Sequence, residues 1–582
     1  MEAGKRTIND IFNGNRVLEI PFFQRSYVWG ETQWERLIED METVSSTNKP
    51  YFLGSVILKQ QQTPAGGNVG DKRTLIDGQQ RLTTLNIMFK VLCLKTGMNA
   101  SFDRVFRLMN NEIALWHNHN DISDFNRVLN LTTEEELTGD SSIISAYTYF
   151  KNNIEVEKLS LNNILTNIMF VGIDLGVDED EQQIFDTINS LGVRLTTAEL
   201  LKNYFFHRDD VQSYNDNWKN VFERDADTKM FWDRDITAGR SIRENVDLFF
   251  YSFLQIKVQD SSLNVKTEDK KLFTKVDGLF DSYKKFIQDY KIDKPALIQE
   301  IKEYAELYRA NIDFDVVDRE LSADYGIERI NAIIFGLENT TLIPYVLFVL
   351  KKVANSNERN LIWEYLESYI MRRMVCHETT KNYNQLFSER LIANNVITRD
   401  ALKAQIETQS DKVNYMPSDT DLQNGFNNSR LVNKQAAGIL YLIESMVRDR
   451  TKQSTSLLGL GRYSLEHVMP KKWENNWTSL ETEEAKLNRH KTLLTLGNLT
   501  IITTSLNTSI RDADWNTKKN GRGEKHGLRH YASSIETFSP YLEKPDWNEE
   551  VIQERATYLY TKAKEIWRNQ NVKEKEEATA QV

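Results

Sequence analysis

SLEHVMPKKWENNW (464–477) and, a polar stretch later, TLLTLGNLTIITTSLNTSIRDADWNTKK (492–519) decide how the C-terminal third of this 582-residue chain is read. The first is a short apolar run that closes on Glu466 and His467. Pro470 brings no amide hydrogen to a ladder, so the strand ends there. The second reads as a strand over 493–503, a short turn, and a helix-compatible stretch from about Asn507.

Strand, loop, strand, helix is the layout of a ββα-metal finger, and its side chains are those that phosphodiester hydrolysis calls for. A base must take a proton from water near neutral pH, and histidine is the side chain best placed to do so. A hard divalent cation must offset charge on the phosphate, and it takes oxygen ligands. A further group must orient the base. His467 is the expected base, with Asn498 orienting or polarising it from the second strand. Asn507 on the helix, with Glu466, is expected to hold one Mg²⁺ or Mn²⁺, and Lys518 to contact the scissile phosphate. A single histidine after a strand is ordinarily structural; the ordered set carries the expectation.

A second signal is LIDGQQRLTTL (75–85), a strand, a tight turn at Asp77-Gly78 and a long apolar helix. Its helix N-terminus exposes unpaired N–H groups, an anion site suited to phosphate. Arg81 adds a bidentate phosphate donor. Asp77 is a candidate for a metal or a ribose hydroxyl, and Gln79 and Gln80 bring neutral hydrogen-bonding groups. IPFFQRSYVW (20–29) contributes Gln24 and Arg25, with Tyr27 and Trp29 as aromatics for stacking on a base. No GxxxxGK[ST] motif is present, so NTP chemistry here is not of the P-loop kind.

Between these regions, 211–410 is nearly all helical pattern, as in SIRENVDLFFYSFLQIKV (241–258) and TLIPYVLFVLKKV (341–353), and reads as a scaffold or bridge. The length calls for about three domains. Two cysteines, Cys93 and Cys376, exclude a disulfide framework or zinc cluster and read as buried small hydrophobes. No run is apolar enough to span a bilayer and the opening MEAGKRTINDIF is not a signal sequence, so a reducing cytoplasm is expected, with no membrane. A net charge of −11 argues against a protein coated in DNA, but not against a local basic patch such as KKNGRGEKHGLRH (518–530).

EHVMP, LGNLTII, LN and the W..KK of the C-terminal stretch resemble the HNH nuclease domain that forms the D half of GmrSD-type, modification-dependent (type IV) restriction endonucleases. The match falls on Glu466, His467, Pro470, Gly497, Asn498, Leu499, Asn507, Trp515 and Lys518. Many HNH nucleases carry Asp before the catalytic His; the longer side chain of Glu466 shifts the carboxylate. YIMRRMVCHETTKNYNQLF (369–387) resembles the lead-in to that domain, with Arg372 and Arg373 read as helix-surface charge or facing DNA. IPFFQRSYVW, YFLGSVIL, DGQQRLTTL and FDTINSLGVRLTTAELLKN (185–203) resemble the S half, over about 8–206.

The resemblance implies an α+β multidomain chain, mostly helical. A ParB/sulfiredoxin-like nucleotide-binding domain would span 1–210, a helical bridge 211–410, an HNH domain 411–570 and a disordered tail 571–582. Gln24, Arg25, Asp77, Gly78, Gln79, Gln80 and Arg81 would line a pocket for GTP, ATP or another NTP; Asn189, Gly192 and Asn203 fall on a third motif. The implied activity is NTP-regulated, metal-dependent cleavage of modified phage double-stranded DNA, with NTPase activity in the N-terminal domain and homodimerisation left open. Two other readings stay open: a nucleotide-sensing regulator with a silent nuclease domain, and a ParB-like DNA-binding protein.

Overall fold

The computed structural model describes residues 2–570 except 14–15, 23, 62–70, 178–195, 207, 240, 276–277, 408–412, 450, 452–455, 524 and 532–534. Asn189, Gly192, the tail 571–582 and most of the Gly-rich stretch after Gln60 therefore lie outside the described residues. The chain divides into two compact units, Met1–Asn220 and Val221–Val582. Helix dominates, with one mixed sheet in the first unit, and no described helix is long and apolar enough to cross a membrane.

The first unit is built on six strands: β1 (Glu2–Thr7), β2 (Arg16–Glu19), β3 (Tyr51–Gln60), β4 (Asp71–Asp77), β5 (Leu115–Trp116) and β6 (Ile168–Leu175), in the order β1-β6-β3-β4-β2-β5. β3 pairs antiparallel with β4 and parallel with β6, and β4 runs parallel to β2. Helix α1 (Glu31–Thr47) buries Trp34, Leu37, Ile38, Met41 and Val44, the stripe its periodicity predicts. Helix α2 (Gln79–Thr96) leaves β4 through Gly78, whose φ of 102° favours a residue without Cβ. It is buried on every face from Leu82 to Leu94, which makes it the axis of this core. Helix α3 (Thr197–Phe205) starts on a capping box, with Thr196 and Glu199 bonding each other's backbone N–H.

In the second unit SIRE, which reads as helix in sequence, is instead β8 (Ser241–Glu244), hairpinned to β7 (Asp235–Ala238). The helical pattern after it becomes α4 (Asn245–Val258), α5 (Ile343–Lys352) and α6 (Ser356–Val375). From Val221 the helical stretch and the C-terminal segment form one compact unit. Buried charge shows why. Arg329 makes a two-pronged contact with Glu367 at 2.8 and 2.7 Å, and Glu367 accepts from Trp567 Nε1 at 3.1 Å. Arg372 and Arg373 are fully buried, which corrects their reading as surface or DNA-facing residues. Arg372 bonds Trp567 O, Pro417 O and Asp419; Arg373 bonds Thr379 O, Val413 O and Tyr415 O. These carbonyls come from segments with no local helix partner, so the two guanidiniums serve as interior crosslinks.

Candidate active site

The C-terminal site rests on helix α7 (Asn433–Val447), against which two short strands pack: β9 (Tyr463–His467) and β10 (Leu499–Thr503). They pair antiparallel with His467 opposite Leu499. Helix α8 (Thr504–Ile510) follows directly, then α9 (Trp515–Asn520) and α10 (Glu549–Ile566). The strand–strand–helix order is the one expected, but the second strand is shorter, because 493–498 forms turns in place of its first half.

His467 ends β9 half-buried. Its imidazole has no hydrogen-bond partner among the described residues. Burial, with the charges of Lys471 and Lys518, pushes its pKa down to about 4, so the ring is neutral at neutral pH. Asn498 sits in the turn before β10, fully buried. Its amide makes no hydrogen bond to the imidazole. Its Oδ1 accepts from Met469 N at 2.8 Å and Trp547 Nε1 at 2.9 Å; its Nδ2 donates to Met469 O at 2.8 Å and Leu493 O at 2.9 Å. All four hydrogen-bonding positions of the side chain are used. Asn498 thus fixes the segment leaving His467, and its backbone O accepts from Val468 N at 3.0 Å.

Asn507 donates through Nδ2 to Ser464 Oγ at 3.1 Å and Leu465 O at 3.0 Å, which pins α8 to β9 and keeps Oδ1 uncommitted among the described residues. Glu466 and Lys518 differ from expectation. Lys518 is wholly buried, ion-paired to Glu466, and donates to His467 O at 2.9 Å. Burial raises the Glu466 pKa and lowers that of Lys518, and the charge of each partner works against the other's shift. The ammonium expected on a phosphate is spent inside the protein, as is the carboxylate expected on a metal. Among the described residues no three His, Cys, Asp or Glu side chains gather as a metal cluster.

In the first unit, Asp77 Oδ2 accepts from Arg81 Nη2 at 2.8 Å and Ser55 Oγ at 2.7 Å. Arg81 Nε is buried without a hydrogen-bond partner among the described residues. Gly54, at φ 125°, admits this arrangement: a Cβ there would stand 2.5 Å from Arg81 Nη1. Gln79 and Gln80 face the 24–29 loop. Gln79 Nε2 donates to Arg25 O at 2.9 Å, and Gln80 Oε1 accepts from Val28 N at 2.9 Å. Gln24, buried, accepts from Arg25 N at 3.2 Å. Tyr27 is no stacking platform: it lies in the core, bonded to Thr84 at 2.6 Å and Trp34 at 2.7 Å.

Two family models match the chain: the GmrSD restriction endonuclease, N-terminal domain, over residues 8–206, and the GmrSD restriction endonucleases, C-terminal domain, over residues 416–562. Together they span more than half of it. The chain belongs to the GmrSD restriction endonuclease family. No curated protein matches it. As a GmrSD protein it is an endonuclease whose substrate is DNA.

Within this GmrSD chain the structure gathers Glu466, His467, Asn498, Asn507 and Lys518 around one two-stranded sheet, and Asp77 to Arg81 around one helix start. Arg25 joins the latter group only through its backbone. Sequence reading missed His117, Asn118 and Asp121. Asp121 accepts from Tyr27 N at 2.7 Å and Asn118 Nδ2 at 2.9 Å, and His117 meets Thr83 of α2 at 2.8 Å. The dense polar run WHNHND (116–121) was the available signal. It also missed Lys471, exposed four residues beyond His467 and a charge felt by that ring. Cys93 is buried as expected, whereas Cys376 is only half-buried; burial pushes the Cys93 thiol up to about 11 and Cys376 up to about 12.

Proposed function

We propose that this chain is a modification-dependent DNA endonuclease of phage defence, hydrolysing phosphodiester bonds at an HNH-type ββα site under the control of a nucleoside triphosphate bound by a ParB/sulfiredoxin-like N-terminal domain. The observation that carries the reading is His467: half-buried, its imidazole without a hydrogen-bond partner among the described residues, and held between two pinned backbone segments, with a pKa low enough to favour the neutral ring. A neutral imidazole accepts a proton from water without first losing one. A bound phosphate sets negative charge against the cations that depress the ring's pKa, and so strengthens the base where it is needed. Lys471, exposed and beside the ring, takes the phosphate-contacting role that Lys518 has no free ammonium to fill.

Oxygen donors at Asn507 and, on release from Lys518, at Glu466 suit Mg²⁺ or Mn²⁺, which would supply charge stabilisation to the phosphate and the leaving oxygen. At the N-terminal site, the α2 N-terminus has no side-chain cap and adjoins the unsatisfied Arg81 Nε, a pairing that favours a nucleotide phosphate. Gln79, Gln80 and Gln24 build the wall of that pocket, while Gly78, Asp77, Arg81 and Arg25 remain to meet the ligand.

Plain and modified phage DNAs, incubated with Mg²⁺ or Mn²⁺ and with or without GTP or ATP, test the proposal. Cleavage of a modified DNA that responds to NTP and disappears in His467→Ala is the expected result. Undiminished cleavage by His467→Ala overturns the site.

A further inference from the structure

Arg555, on α10, is wholly buried. Among the described residues it has no carboxylate partner. Its Nη1 donates to the carbonyls of Leu499 at 2.6 Å, Gly497 at 2.9 Å and Leu496 at 3.3 Å, and its Nε to Thr537 O at 3.1 Å. Burial lowers its pKa to about 10, which leaves it a cation at neutral pH. Glu444 opposes this charge without an ion pair among the described residues, so the carbonyls are the groups that solvate the guanidinium directly. Three of the four belong to the 496–499 turn that enters β10.

Helix α10 grips the same turn by shape. A Cβ on Gly497 would lie 2.2 Å from Ile552 O, so only glycine lets the two backbones approach. Ile552 and Arg555 are three residues apart and share a helix face. Trp547, just before α10, donates to Asn498 Oδ1. From that turn the contacts run on to Met469 through Asn498, and to His467 through its pairing with Leu499. The sheet itself has two strands of five residues, too little to hold a side chain in one place unaided.

We propose that Arg555, assisted by Trp547, is a positioning residue: it anchors the 496–499 turn to α10 and through it sets where the His467 ring stands. The functional consequence rests on the reading of His467 as the base; the positional one does not. The contacts are geometric and converge on one turn, whereas a guanidinium serving only stability has no need to concentrate its donors beside the candidate base.

The test uses the full chain with histidine labelled at ¹³Cε1, the His467 resonance being assigned from its loss in His467→Ala. Arg555→Lys retains the charge but not the span of the fork, and Trp547→Phe deletes one donor while keeping the ring's bulk. Both variants should move the His467 resonance. On a modified phage DNA that the wild type cleaves they should lower kcat about ten-fold or more, with KM within about two-fold, as small misplacement of a reacting group does. A His467 resonance that superimposes on the wild type's in both folded variants, or an unchanged kcat, overturns the proposal. If Arg555→Lys does not fold, Trp547→Phe decides alone. Wild-type cleavage by His467→Ala would instead remove the base reading, with the resonance still deciding whether Arg555 positions the ring.

Discussion

Asn498→Ala removes the amide that joins the turn before β10 to the segment leaving His467. Four groups lose their partner at once: Met469 N, Met469 O, Leu493 O and Trp547 Nε1. Asn498 is fully buried, so water reaches these groups only through the small space the side chain vacates. At about 1 kcal/mol for each orphaned group, the low end of the range, the second unit loses roughly 4 kcal/mol. Asn498→Asp keeps the two acceptor contacts, but turns an oxygen toward the carbonyls of Met469 and Leu493 and buries a charge, so it should be no milder. Calorimetry of the full chain reads the loss as a fall of several degrees in the transition of the second unit, with that of the first unmoved. Cleavage measured below that transition should fall about a hundred-fold, because the segment carrying His467 and Lys471 is no longer fixed. A melting temperature within a degree of wild type would refute the clamp. A lowered melting temperature with full cleavage would refute its bearing on His467.

The low pKa of His467 has two consequences. The pH profile of kcat/KM should fall on the acid side near pH 4, and that of kcat at higher pH, because bound phosphate raises the ring's pKa; coincident limbs would count against His467 as the base. Since its folded pKa lies below the ordinary 6.5, the unfolded chain takes up this proton first. The ring's contribution to stability is therefore whole above about pH 6.5 and lost as pH falls toward 4, measurable by urea unfolding of wild type against His467→Gln. Lys518→Met strands the Glu466 carboxylate and should cost about 3–5 kcal/mol, most of it recovered in Lys518→Met/Glu466→Gln; no recovery in the double variant would disprove the buried pair. Gly54→Ala, whose Cβ meets Arg81, and Asp77→Ala, which frees Arg81, should each weaken binding of a fluorescent GTP or ATP analogue about ten-fold or more, and unchanged affinity would show the pocket to lie elsewhere.

Much of the framework was legible because it is written locally. The apolar run closing at His467, the strand before Asn507 and the Asp77-Gly78 turn each depend on a few neighbouring residues. Period and turn chemistry report such elements directly. The 493–498 stretch misled, because its turn packs against α10 and is held from there, not by a strand partner.

The sequence by itself determined which residue types stand at the end of each element: a histidine closing a strand, an asparagine on the following helix, and a glycine, two glutamines and an arginine at a helix start. Only the tertiary structure decided whom those side chains serve. Lys518 turns inward to Glu466, Asn498 holds Met469 and Trp547 in place of the imidazole, Arg372 and Arg373 crosslink the interior, and Gln79 and Gln80 grip a loop more than fifty residues upstream. The reason is physical. An element's existence is set by bonds between residues a few positions apart, whereas a buried polar side chain takes whichever donor or acceptor packing brings within about 3 Å, and that partner comes from elsewhere in the chain.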